Sequence, residues 1–252
     1  MTFAGSDVTA IRGRDLKEYR KQVQMVFQDP FASLNPTHTV NTIMRRSFAS
    51  TQVRRAASEM QKKIEQSLEL VGLSPAHNFL GQFPHELSGG QRQRVALARS
   101  LVVNPKLVVA DEPVSMLDVS LRLGVLNLML ELNRTFHVAY VYITHDLASA
   151  KYVASRIAVM YAGEIVEEGP AGTLIENCRH PYTKVLVAAA PDPEQHARNE
   201  SRMVKGEPPN LGAPFEGCPF QFRCPDVQDV CRTQIPPMVQ VDPGHRVKCH
   251  MI

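Results

Sequence analysis

The feature that most constrains this chain is the run LSGGQRQRVALARSL at positions 87–101. A glycine pair there leads straight into a basic segment with Val95, Ala98 and Leu101 at helical spacing, continued by Val102. Ser88 stands where an N-cap belongs, so the spacing predicts a helix that opens at the glycines. A wholly apolar run, Leu107 to Ala110, then ends in two carboxylates, Asp111, twenty residues after Gln91, and Glu112. A helix N-terminus with backbone that an anion can approach, followed by a buried strand ending in acids, points to phosphate chemistry.

The rest of the pattern predicts an α/β fold. Lys21 to Phe27 reads as a short strand ending at Gln28, and Pro30 and Asn35-Pro36 mark a loop. A polar helical stretch runs from about Thr39 to Gly72, with Ile64, Leu68 and Val71 on one face, and an irregular stretch follows to Glu86. Leu121 to Phe136 reads as an amphipathic helix, Val138 to Ile143 as a second buried strand, and a further helix starts at Asp146. Arg156 to Tyr161 and Glu164 to Glu168 form a predicted hairpin around Ala162-Gly163. Strands alternating with helices imply a parallel sheet covered on both faces. Past His180-Pro181-Tyr182 a short helix is expected to end near Pro191, and residues 192–252 are proline-rich with little periodicity.

Composition excludes several classes. A net charge of +3 over 252 residues is too balanced to argue for nucleic acid as a partner. The arginines at 45–46 and 54–55 read as a solvated helical face. No apolar run reaches the ~18 residues of a membrane span, and the first residues lack the pattern of a secretory signal. A cytosolic protein that meets membranes through a partner is expected.

Each candidate site residue also has an ordinary structural role. Glycines open turns, acids end strands, a histidine such as His145 in Ile143-Thr144-His145-Asp146 caps helices, and a glutamine such as Gln28 stands in turns before proline. Their placement at the ends of three predicted strands is what joins them. There a carboxylate can hold Mg²⁺ and a neighbouring one can orient or deprotonate a hydrolytic water.

Together these residues resemble the ATP-binding-cassette ATPases. Gln28 matches the Q-loop, Leu87 to Gln91 the LSGGQ signature, and Leu107 to Glu112 the Walker B strand. Pro113 to Asp118 matches the D-loop, with Met116 in place of a usual small residue, and His145 matches the switch histidine. The resemblance implies a P-loop NTPase-like nucleotide-binding domain with a helical subdomain at about 36–86, and ATP and Mg²⁺ as ligands. By it Asp111 and Gln28 serve the Mg²⁺ shell, Glu112 is the general base and His145 contacts the γ-phosphate. Ser88, Gly89, Gly90 and Gln91, with Asp118, meet nucleotide held across a subunit interface. The segments at 27–36, 111–120, 179–183 and 217–225 look like the oligopeptide/dipeptide importer branch. That branch implies a second ATPase subunit in a homo- or heterodimer, two transmembrane permease subunits and, indirectly, an extracytoplasmic peptide-binding protein. It places the chain peripherally at the cytoplasmic face of the membrane. An ATPase domain over 1–190 and an importer-type, Cys-containing extension over 191–252 are the expected division.

Four of the five cysteines, Cys218, Cys224, Cys231 and Cys249, crowd into the last 35 residues. In a reducing compartment such a cluster binds zinc or an iron–sulfur cluster, or consists of free buried thiols. The branch resemblance adds a [4Fe–4S] cluster as the expectation, with His245 and His250 as spare ligands and Cys178 as a packed small residue.

The 252 residues contain no G-x-x-x-x-G-K-[ST] segment, the loop that cradles nucleotide phosphates. Only 27 residues precede Gln28, whereas in the family that loop stands several tens of residues before the Q-loop. The expectation is a sequence that begins downstream of its true start, with the loop and the first core strand missing, an exposed sheet edge and reduced stability. A short, catalytically silent subunit that donates its LSGGQ to a neighbour is the second reading, and a nickel or glutathione importer is the neighbouring alternative for substrate. A soluble cassette ATPase acting on DNA or ribosomes is disfavoured by the importer-type tail and by the absence of a long coiled-coil insert.

Overall fold

The structure is a computed structural model, and it describes residues 2–51, 56–189 and 216–252. The chain divides into two compact units, 1–145 and 146–252. Arg54-Arg55 and the expected helix end near Pro191 lie outside the described residues.

In the first unit, a small hairpin of β1 (Thr2–Phe3) and β2 (Ser6–Asp7) precedes α1 (Gly13–Gln22), which runs into β3 (Val23–Val26). The helical part comprises α2 (Pro30–Ser33), α3 (Val40–Thr51), α4 (Ala57–Leu70) and α5 (His77–Leu80), followed by a 3₁₀ turn at Pro84–Glu86. The expected helical stretch from 39 to 72 is thus at least two helices. Gly72, at φ +77°, ends the second of them in a conformation that glycine adopts at no steric cost. Then come α6 (Gly89–Leu101), β4 (Leu107–Asp111), α7 (Val119–Phe136) and β5 (Ala139–Ile143).

α6 is the hub of this unit, because its stripe of Val95, Leu97, Ala98 and Leu101 is buried, and it packs against α2, α3, α4 and β3. Each fully buried Val or Leu contributes roughly 1.5–3 kcal/mol relative to exposure. β3, β4 and β5 form a parallel sheet in that order, with Val26, Ala110 and Tyr142 aligned across it. That register brings the three segments after the strands side by side.

One face of the sheet is sealed, with Val26, Val108 and Ala110 fully buried. The other is not. Met25, Val109 and Val141 stand in one row across the strands, yet Met25 is 39% and Val141 48% exposed, and Ile143 and Phe27 are exposed as well. The expectation of a sheet covered on both faces therefore fails on one side, and β5 is an edge strand.

The second unit begins with α8 (Leu147–Val153) and continues through β6 (Arg156–Tyr161) and β7 (Glu164–Pro170). The predicted hairpin is there, with Ala162 at φ +51° and Gly163 at +82°, the pair of left-handed residues that a tight right-twisting hairpin needs. α9 (Ala171–Glu176), α10 (Pro181–Ala189), α11 (Asp229–Thr233), β8 (Met238–Asp242) and β9 (His245–Lys248) follow. β9 pairs with β7, giving an antiparallel sheet of order β6-β7-β9-β8. The tail is therefore more regular than its proline content suggests. Its core gathers Ile157, Val159, Val166 and Leu174 around Tyr161, Tyr182 and Phe220, the rings of Tyr161 lying 4.7 and 5.1 Å from the other two.

A buried carboxylate ties this unit together. Glu167 of β7, with no exposed surface, accepts the backbone amides of Arg179 at 2.7 Å and His180 at 3.0 Å, and lies 2.8 Å from Nε2 of the equally buried His245. It thus joins the entrance of α10 and strand β9 to the hairpin. Burial lowers the pKa of His180 to about 4, and its Nδ1 accepts the Tyr182 amide at 3.1 Å.

Candidate functional site

Three of the expected site residues meet at the ends of the parallel strands. Gln28, two residues beyond β3, donates from Nε2 to Oε2 of Glu112 at 2.8 Å. His145, two residues beyond β5, places Nδ1 at 2.8 Å from Oε1 of the same carboxylate. An ionised carboxylate only accepts, so in that state Nδ1 carries the proton and Nε2 is the ring's outward nitrogen. Glu112 itself follows β4 with φ +44°, a strained conformation for a residue other than glycine, and its amide donates to the Ile143 carbonyl at 2.9 Å. The turn is closed by Ser115, whose amide and hydroxyl both donate to the Glu112 carbonyl. Asp111, half-buried, ends the central strand beside this group.

The signature forms its own cluster. Ser88 caps α6 as expected: its Oγ accepts the Gln91 amide at 3.3 Å, while the Gln91 side chain accepts the Ser88 amide at 2.8 Å. Gly89 faces open space, but a Cβ on Gly90 would stand 3.0 Å from Leu121 Cδ1, so glycine lets the starts of α6 and α7 approach. Asp118 caps α7 by accepting the Leu121 amide at 3.1 Å, and the Ser120 hydroxyl donates to it as well. Those bonds hold its carboxyl below the usual carboxylate range. The exposed Met116 lies in the turn before it. Two contributors were read from the sequence only as helix residues: Leu121, through its packing on Gly90, and Arg99, which donates from Nη1 to the Ser33 carbonyl at 2.5 Å.

The residues present fit a nucleotide-bound Mg²⁺, which needs only one or two protein oxygens besides water and phosphate, here the Asp111 carboxylate and the amide oxygen of Gln28. The thiol cluster does not fit a metal as it stands. Among the described residues no three His, Cys, Asp or Glu are grouped to hold an ion. Cys218 and Cys224 pack on the core around Phe220, and Cys231 is buried with its carbonyl accepting the Cys218 amide at 2.7 Å. Cys249 accepts the Met251 amide at its Sγ. Burial pushes the Cys224 thiol up to about 11. Nε2 of His245 is engaged by Glu167 and Nε2 of His250 lies 2.9 Å from the Gln234 carbonyl oxygen, and neither ring belongs to a group of three such side chains among the described residues. Among the described residues no helix is long and apolar enough to cross a membrane.

Acid, amide and imidazole at neighbouring parallel strand ends, together with a separate glycine-opened helix N-terminus, define a cassette-type nucleotide-binding domain. The comparisons with known proteins agree. Residues 1–115 match the ABC transporter family and residues 166–231 the oligopeptide/dipeptide transporter C-terminal region. The oligopeptide transport ATP-binding protein AppF of Bacillus subtilis is 42% identical over 252 residues, covering 99% of this chain and 76% of that protein. The putative oligopeptide transport ATP-binding protein YkfD of the same organism is 38% identical, again over 76% of its length. Among solved structures, the ATP-binding cassette MJ0796, a dimer bound to ADP and Pi, aligns with a TM-score of 0.57 at 26% identity, over 67% of this chain and 72% of that one. CbiO1 of Clostridium perfringens, at 24% identity and a TM-score of 0.61 over 70% of this chain and 67% of that one, shares the fold. The chain belongs to the ABC transporter family, in its oligopeptide/dipeptide branch.

Proposed function

We propose that this chain is the ATP-binding subunit of an importer of di- and oligopeptides, coupling ATP binding and hydrolysis to transport. The observation that carries the reading is the Gln28–Glu112–His145 chain at the strand ends. Glu112 is aimed as a general base for the attacking water, and Gln28 and His145 hold its two oxygens in place. The outward Nε2 of His145 is free in direction to meet a terminal phosphate. Asp111 and Gln28 serve Mg²⁺, which supplies charge neutralisation at the phosphates. Ser88, Gly89, Gly90 and Gln91 present a capped helix N-terminus to nucleotide on a second ATPase subunit, with Asp118 holding the adjoining turn. Two permease subunits would place the chain peripherally at the cytoplasmic face, and an extracytoplasmic binding protein would deliver peptide.

The test is reconstitution with permease and ATPase partners in vesicles, measuring ATP-driven uptake of labelled peptide, nickel and glutathione. Peptide uptake alone supports the reading, while uptake of either alternative reassigns the substrate. In a second reading this chain only donates its signature, whose capped helix N-terminus stands as a cluster apart from the Gln28–Glu112–His145 group. In that case Glu112→Gln leaves turnover of the assembly intact and Ser88→Arg stops it. If the chain hydrolyses its own ATP, E112Q lowers turnover too, and the purified chain binds MgATP.

A further inference from the structure

Arg99 is in the last turn of α6, the helix that the signature opens. Its guanidinium is half-buried, and burial lowers its pKa, a cost that a surface arginine avoids. The charge is directed at one backbone carbonyl, that of Ser33, at 2.5 Å. Ser33 closes the turn just after the Q-loop glutamine, donating its amide to the Asp29 carbonyl at 3.1 Å, and the next residue, Leu34, is buried. Gln28 precedes that turn directly and reaches Glu112 at 2.8 Å. A continuous path therefore runs from α6 through Arg99, Ser33, Asp29 and Gln28 to the carboxylate.

We infer that Arg99 is a positioning residue: by tying the turn at 29–33 to the signature helix, it sets the reach of Gln28 to Glu112. Displacement of α6 from its Ser88 end is then felt at Glu112, and the two clusters move as one. A hydrogen bond from a charged donor is stronger than a neutral one, which suits a tie that must transmit displacement. The consequence for catalysis rests on the function proposed above, but the tie itself is a property of the folded chain.

The experiment follows the Gln28 side-chain amide by ¹⁵N NMR in the full chain without nucleotide, its signal assigned by loss in Gln28→Ala. Arg99→Met is expected to speed exchange of the Gln28 Nε2 protons about tenfold, the scale of one released hydrogen bond, and to shift them toward a free amide. Arg94→Met serves as the control, because Arg94 makes the same kind of bond from the same helix, to the Val71 carbonyl at 2.7 Å, remote in sequence from Gln28. It is expected to leave the Gln28 signal in place. If R99M does not fold, Arg99→Lys is read the same way, with a roughly two- to threefold rise expected because its ammonium lacks the guanidinium's reach and fixed planar fork. An unmoved Gln28 signal in R99M or R99K, or an equal response in R94M, overturns the proposal. No nucleotide enters the measurement, so failed ATP turnover bears on the function and not on the tie.

Discussion

Nδ1 of His145 and Oε1 of Glu112 lie 2.8 Å apart although 33 residues separate them. The pair spans two strands and is possible because β4 and β5 run parallel in register, ending together at Asp111 and Ile143. Glu112 is reached from the other side by Gln28, so its carboxylate is oriented before any nucleotide arrives. Such pre-organisation is what hydrolysis by positioning requires.

The orientation of Glu112 rests on a strained backbone, φ +44°. Glu112→Asn, a residue that tolerates the left-handed region, is expected to stabilise the fold by about 1 kcal/mol while removing the carboxylate proposed as the base. Urea denaturation of the two proteins measures this. Glu112→Val, β-branched, is expected to destabilise instead.

Acid should unfold the second unit through His180. Its folded pKa, about 4, lies below the ordinary 6.5, so between those values the unfolded chain binds the proton and the native one does not. Stability is full above about pH 6.5 and falls as pH drops toward 4, by ~3 kcal/mol in all. His180→Asn keeps an acceptor for the Tyr182 amide and is expected to flatten that slope in pH-dependent denaturation.

Glu167→Gln changes one atom type in a site that bears almost no alteration. One acceptor oxygen becomes an NH₂ facing either the Arg179 amide and the His245 ring or the His180 amide. A loss of about 3 kcal/mol is expected. Thermal melting should show it, together with increased hydrogen exchange in residues 238–248.

Burial holds Cys224 protonated near neutrality, its pKa raised to about 11. Alkylation by iodoacetamide at pH 8 is expected to be about a hundredfold slower than for a free thiol and to rise tenfold per pH unit until that value. Mass spectrometry of the 216–252 segment gives the rate.

Much of this was legible in the chain because it depends on local chemistry. Ser88 announces an N-cap by its place before the glycines, Ala162-Gly163 announces its turn, and the apolar runs at 107–110 and 138–143 announce strands, although the second, expected to be buried, is half-exposed to exposed along Ala139–Ile143. What stayed hidden depends on partners distant in sequence. Nothing local marks Glu167 as the acceptor for a histidine 78 residues away, or shows β9 joining β7. α1 is amphipathic but buries no residue, so no apolar stripe reveals it. The four tail thiols illustrate the opposite case, where crowding in sequence did not produce one ligand set.

The exposed sheet face has a consequence for what can be laid against it. A strand laid parallel to β5 cannot arrive by a tight hairpin, because a parallel neighbour needs a crossover of a dozen or more residues, usually a helix. Crossovers of this kind keep one hand and fold back onto the sheet. A single β–α unit laid against β5 would therefore extend the sheet and roof the row of Met25, Val109 and Val141 in the same step.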